Sequence, residues 1–68
     1  MTGELIKNYL DENGIKYSYV AHKAGISLTT FSTMLNNKRK ISAEEFIDIC
    51  VVLRVKPNYF ADKIKQVV

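Results

Sequence analysis

The chain is poor in residues that staple a fold or hold a metal. Its 68 residues contain one cysteine, Cys50, which excludes an internal disulfide framework and suits a reducing compartment. His22 is the single histidine. With one Cys, one His and no clustered carboxylates, a zinc site lacks ligands, so neither a metal nor a cofactor is expected. No glycine-rich phosphate loop and no serine–histidine–acid spacing is present, which argues against an enzyme. Long apolar runs are missing as well. Ile49-Cys50-Val51-Val52-Leu53 is far too short to span a bilayer, and the polar run Thr2-Gly3-Glu4 after Met1 does not open a signal peptide. The expectation is a cytoplasmic protein with no membrane partner and no small-molecule ligand.

What is present is a 47% hydrophobic fraction, enough for a small core and too high for a disordered chain. Residues 1–68 have room for one domain. A net charge of +3 and a pI of about 9.1 lean toward a polyanionic partner. Apolar spacing reads as helices throughout, with no strand alternation. The first helix runs from Thr2 to Asn13, carries Leu5, Ile6, Tyr9 and Leu10 at helical spacing, and stops at Gly14. The second runs from Tyr17 to Ala24, with Val20, Ala21 and Ala24 inward. The third runs from Leu28 to Leu35 behind a Ser27 cap, with Ile26 placed to staple onto Phe31. Ser42 and Glu45 form a capping box for the fourth helix, which continues to Leu53, with Ile41 and Phe46 as its staple. Pro57 suits the first position of a fifth helix, where its missing N–H would be unpaired anyway. The fold class is therefore all-α, a bundle of five short helices. Cys50 sits between Ile49 and Leu53 as a small core hydrophobe.

Ala24-Gly25-Ile26-Ser27 is the most informative turn. Glycine just past a helix end lacks the Cβ that penalises a left-handed backbone, and Ser27 accepts from an unpaired N–H of the next helix. Two helices joined so tightly cross steeply, as in a helix-turn-helix. On the following helix, Leu28, Thr29, Ser32, Thr33 and Asn36 fall within an arc of roughly 140° at 100° per residue. Phe31, Met34 and Leu35 share the opposite side. One face anchors in a core, and the other presents short groups suited to base edges and thymine methyls in a major groove. Such a helix is short of charge, so phosphate contacts must supply affinity. Lys38, Arg39 and Lys40 follow directly, and the start of the second helix at Tyr17 and Ser18 adds partial positive charge and hydroxyl donors. Each feature alone is common on helical surfaces. Their combination, in this order from Tyr17 to Lys40, points to double-stranded DNA.

From about Leu5 to Phe60 the chain closely resembles the lambda-repressor-like helix-turn-helix family, the Cro/repressor or XRE-type regulators. The resemblance rests on Val20-Ala21-His22-Lys23-Ala24-Gly25-Ile26-Ser27, Thr30-Phe31-Ser32-Thr33-Met34-Leu35, Asn36-Asn37-Lys38-Arg39-Lys40 and Leu53-Arg54-Val55-Lys56-Pro57-Asn58-Tyr59-Phe60. It implies a five-helix domain whose second and third helices form the helix-turn-helix, with Leu28, Thr29 and Thr33 at bases. Ser27, Asn36 and Asn37 are implied at phosphates or the groove edge. It further implies a repressor or Cro-like switch protein of bacterial or phage type, acting at a DNA operator. A protein-interaction module, such as an antirepressor or antitoxin-like partner, is the alternative use of this fold.

Several positions depart from the family pattern. Tyr17 stands where a phosphate-binding Gln is common, Asn37 where the loop has Gly, and Arg54 where Gly follows the fourth helix. Arg54 costs about 1 kcal/mol if left-handed. Leu10 and Leu35 replace an Arg–Glu pair together, so no charge is stranded, and the two are expected to touch. Because the sequence ends just after the fifth helix, no separate oligomerisation domain is expected. A weak homodimer, tightening on DNA, would then use Pro57, Tyr59 and Phe60.

Overall fold

Five helices, α1 (Thr2–Glu12), α2 (Tyr17–Ala24), α3 (Leu28–Leu35), α4 (Ala43–Leu53) and α5 (Pro57–Gln66), make up the architecture of the computed structural model, which describes residues 2–66. The ends of α2 and α3 are those the sequence predicts. The first helix stops one residue short of the expected Asn13. Asn13 leaves the helix and turns its side-chain amide back to donate to the Tyr9 carbonyl at 2.8 Å.

Helices α1 to α4 all end in the same way. A single left-handed residue follows each of them: Gly14, Gly25, Asn37 and Arg54, with φ of 64°, 72°, 60° and 59°. The N–H of that residue reaches the carbonyl three residues back, and the next N–H reaches five back. The second set runs Ile15 to Leu10 at 2.9 Å, Ile26 to Ala21 at 2.9 Å, Lys38 to Thr33 at 3.0 Å and Val55 to Cys50 at 3.1 Å. These bonds satisfy carbonyls that a helix end leaves unpaired and reverse the chain tightly. Glycine occupies the left-handed position freely, and Asn tolerates it. At Arg54 the Cβ crowds the following carbonyl, at a cost of about 1–2 kcal/mol.

The residue after each reversal decides where the loop goes. Ile15, Ile26 and Val55 are apolar and pack against the core. The matching residue after α3 is Lys38, which is exposed. That one connection is therefore turned outward into solvent, with the polar run Asn36 to Lys40 behind it.

Helix starts are equally specific. Ser27 Oγ accepts from the Thr30 N–H at 3.2 Å. Ser42 and Glu45 form the expected capping box, with Ser42 Oγ accepting from Glu45 N–H at 3.1 Å and Glu45 accepting from Ser42 N–H at 3.0 Å.

Helix α1 packs on α3 and α5, α2 packs on α3 and α4, and α4 touches α5. Leu10 and Leu35, which replace a charged pair of the family pattern, are both buried in the one core, so neither side chain points into water. Cys50 lies in the same core, and burial pushes its thiol pKa up, consistent with a packing role. An aromatic group closes the far end. Phe60 meets Tyr59, Tyr9 and Phe46 edge-on, with centroids 5.1, 5.7 and 6.0 Å apart. Truncating Phe60 to Ala would remove about 3–5 kcal/mol, the order of the whole stability of so short a chain.

Phe60 is fully buried, which corrects its expected place in a dimer contact. It is too central to α5 packing to meet a second chain. Gly3 has a role that periodicity does not reveal. It is buried against the end of α3, where an added Cβ would strike the Met34 carbonyl oxygen and come within 3.0 Å of Asn37 Oδ1. Glycine permits that close approach of α1.

Relieving the left-handed arginine is the direct check on these reversals. Arg54→Gly is expected to stabilise the chain by about 1 kcal/mol, raising the unfolding midpoint by roughly 4–8 °C. Thermal unfolding of dilute protein followed by circular dichroism reads this. An unchanged or lower midpoint would mean that Arg54 is unstrained.

Candidate nucleic-acid interface

Residues expected at base edges do share one exposed face. Leu28, at the first position of α3, is 50% exposed, although it is the kind of side chain a core would take. A shallow depression along α3 is lined by Leu28, Thr29, Ser32, Thr33, Asn36 and Lys38. A second depression shares Leu28 and Ser32 and continues to Ile15, Lys16, Tyr17 and Ser18. Together they make one continuous surface from the start of α2, across α3, to the outward loop. Opposite it, Phe31, Met34 and Leu35 are buried, so the amphipathic division of α3 is physically realised.

The hydrogen bonds within this surface limit what each group can offer. Thr33 Oγ1 donates back to the carbonyls of Thr29 at 2.8 Å and Thr30 at 2.9 Å. Its proton is thus committed to α3, leaving an acceptor lone pair and a methyl group for an incoming ligand. Ser27 Oγ accepts from the Thr30 N–H and donates to Thr30 Oγ1 at 2.8 Å, so its hydroxyl is engaged as a cap. The Asn36 amide donates to the Ser32 carbonyl at 2.9 Å, closing the end of α3. The hydroxyls of Thr29 and Ser32 have no hydrogen-bond partner among the described residues and remain the adaptable donors of the face.

Two of the expected phosphate contacts are held by acidic neighbours. Tyr17 Oη donates to Asp11 Oδ1 at 2.6 Å, while its ring lies edge-on to Phe31 at 6.5 Å. The bond to Asp11, with some burial and the carboxylate's charge, pushes the Tyr17 pKa up. The phenol thus keeps its proton and directs it at the Asp11 carboxylate. Arg39 makes a two-pronged contact with Glu45, at 3.2 and 3.1 Å. It lines hollows beside α1 and α4 instead of the α3 face, as does Lys40 beside Thr2 and Gly3. Lys38 is the cation of the basic run that borders the α3 depression.

Lys16 belongs to this surface although the sequence reading passed over it. It is exposed, caps α2 without a side-chain hydrogen bond, and lines the second depression. A lone lysine at the start of a helix was the available signal, and it is weak because such lysines are common on surfaces. His22 is exposed on α2, and no group of three or more metal-ligating side chains occurs among the described residues. Among the described residues, no helix is long and apolar enough to cross a membrane.

A family model, the Cro/C1-type HTH DNA-binding domain, matches residues 6–59. The chain belongs to that family. The match spans α2, the turn at Gly25, α3 and the outward loop, the segments that build the surface described above. Searches of curated proteins and of solved structures return no match. The membership supports a DNA-binding regulator in general terms.

Glu45 links the basic loop to the cap of α4, and its acidity can be read by titration. The bond from the Ser42 N–H first, then the Arg39 guanidinium, hold its carboxyl below the usual glutamate pKa. A lowered pKa contributes stability that is present above the unfolded-state value and lost as pH falls through the folded one. Glu45→Gln, which keeps an acceptor for the cap but no charge, is expected to melt below wild type at neutral pH. The gap should close in acid below the ordinary glutamate range. A gap that is constant with pH, in thermal melts across that range, would show that the charge contributes nothing.

Proposed function

We propose that this chain is a sequence-specific transcriptional regulator of the repressor or Cro-like switch type, with α3 lying in the major groove of a double-stranded operator. The observation that carries the reading is the uncharged, short-chained outer face of α3 with cations only at its borders. Phosphate attraction then comes from the rim, and base discrimination from the centre. Leu28 offers an apolar contact to a thymine methyl. Thr33 offers a methyl and an acceptor, Thr29 and Ser32 offer rotatable hydroxyls, and Lys38 at one border and Lys16 at the other face the two flanking backbones. Ser18 lies beside Lys16 at the positive end of α2. Asn36 and Asn37 bring the loop backbone to the groove edge, and Ser27 acts by holding the start of α3.

Arg39 and Lys40 are the weaker members of the basic run in this arrangement. Arg39 reaches a phosphate only by exchanging Glu45 for it. Tyr17 is in the same position, because its hydroxyl already donates to the Asp11 carboxylate, which sets a negative charge beside the α2 end. Asp11 therefore lowers the affinity that the rim cations provide.

Two measurements separate these roles. Thr29→Ala and Thr33→Ala are expected to relax base preference in a selection from a random duplex pool while changing overall affinity little. Lys38→Ala should weaken binding to every sequence and flatten the salt slope by about 1. Equal behaviour of all three variants would sink the division of labour. No enriched sequence at all would shift the reading to a protein-interaction module.

Asp11 gives the opposite sign. Asp11→Asn is expected to tighten DNA binding about two- to fivefold at low salt, with the gain fading as salt rises. Unchanged affinity at low salt in a fluorescence-anisotropy titration would place Asp11 and Tyr17 away from the backbone.

A further inference from the structure

Three residues of α1 are buried, Gly3, Ile6 and Leu10, and at 100° per residue they fall within roughly 60° of one another. Ile6 and Leu10 are fully buried and anchor the helix in the core. Gly3 lies instead against backbone, at the Met34 carbonyl, with the Asn37 side chain next to it.

That carbonyl already has a task. It accepts the Asn37 N–H at 3.1 Å, the first bond of the reversal that ends α3. The second bond runs from the Lys38 N–H to the Thr33 carbonyl at 3.0 Å, and Asn37 supplies the left-handed turn between them. Thr2 and Gly3 also line one hollow together with Asn37, Arg39 and Lys40. The start of α1 therefore abuts the reversal that sends Lys38 outward. The other three reversals carry Ile15, Ile26 and Val55, which fasten them to the core. Lys38 cannot do so, and this reversal takes its support from α1.

We infer that Gly3 is a positioning residue for the DNA contact. The start of α1, bare of a side chain, is the seat on which the loop after α3 rests, and it fixes where Lys38 meets a phosphate. The inference rests on the DNA-binding reading and adds to it a residue that lines neither depression of the interface. A Cβ at position 3 cannot be absorbed by α1, because Ile6 and Leu10 lock that helix within the next two turns. The Met34 carbonyl must give way, and the Asn37 and Lys38 bonds move with it.

Gly3→Ala tests this with a sign opposite to the ordinary one. Inside a helix, alanine in place of glycine normally stabilises, since it loses less freedom on folding. Here the unfolding midpoint is expected to fall. Hydrogen exchange at the Lys38 amide should speed up about tenfold more than at Val55, the matching residue after α4. Binding is read by fluorescence anisotropy on a labelled mixed-sequence duplex, which samples phosphate contacts on any sequence. Gly3→Ala is expected to bind roughly fivefold more weakly at low salt, with a salt slope smaller by about 1, as for Lys38→Ala. Adding Lys38→Ala to it should then change affinity by less than about twofold, because the lysine is already out of place. A loss of stability alone would leave the slope unchanged and let the two losses multiply. If Gly3→Ala by itself does not fold, the same set is compared in the Arg54→Gly background, relaxed at the far end of α4. A midpoint at or above wild type, an unchanged salt slope, or a full Lys38→Ala loss in the Gly3→Ala chain would each overturn the proposal. Wild type that binds no duplex sinks the DNA reading and this one together. Wild type that binds, beside a Gly3→Ala chain that binds equally well, sinks this one alone.

Discussion

The constraint on which the architecture depends is the left-handed residue that follows each of α1 to α4. An L-amino-acid chain enters that conformation reluctantly, and these helices each need it once. The two backbone bonds it permits satisfy carbonyls that would otherwise be exposed or buried unpaired, and they fix the direction in which the chain leaves. Helices of eight to eleven residues are too short to be stable alone, so their packing must be imposed by such reversals and by the shared core.

Reuse of one device makes its single variation meaningful. After three of the four helices the next residue is an Ile or Val folded onto the core. After α3 it is Lys38, so the chain swings out where the core would otherwise have drawn it in. The outward loop, the open face of α3 and the free end of α2 become neighbours for this reason. Family membership and this placement agree in pointing to a DNA-binding surface. Acidic side chains temper that surface. Glu45 pairs with Arg39, so the basic run offers fewer free cations than its composition implies, and Asp11 engages the Tyr17 hydroxyl.

Much of the fold was legible in the sequence. Gly25, Ser27, Ser42 with Glu45, and Pro57 act within a few residues of themselves, which is why the limits of α2, α3 and α4 came out as expected. The joint change at Leu10 and Leu35 was legible too, because losing two opposite charges together signals a shared apolar environment. The amphipathic split of α3 needed only a period of 3.6. Gly3 was not legible. Its importance lies in a carbonyl more than thirty residues away, which no local pattern reports. Phe60 looked as much like an interface residue as a core one, since an aromatic residue beside another aromatic carries no label for the side it faces.

The sequence by itself determined the helices, their caps, the family and the face of α3, because each depends on spacing along the chain. Only the tertiary structure decided which cations are engaged, which aromatic residue is buried, that Lys16 joins the α3 surface, and that the start of α1 abuts the loop after α3. Those outcomes depend on which helices lie side by side. The physical reason is that hydrogen-bond reach and burial act over a few ångströms in space, whatever the distance along the chain.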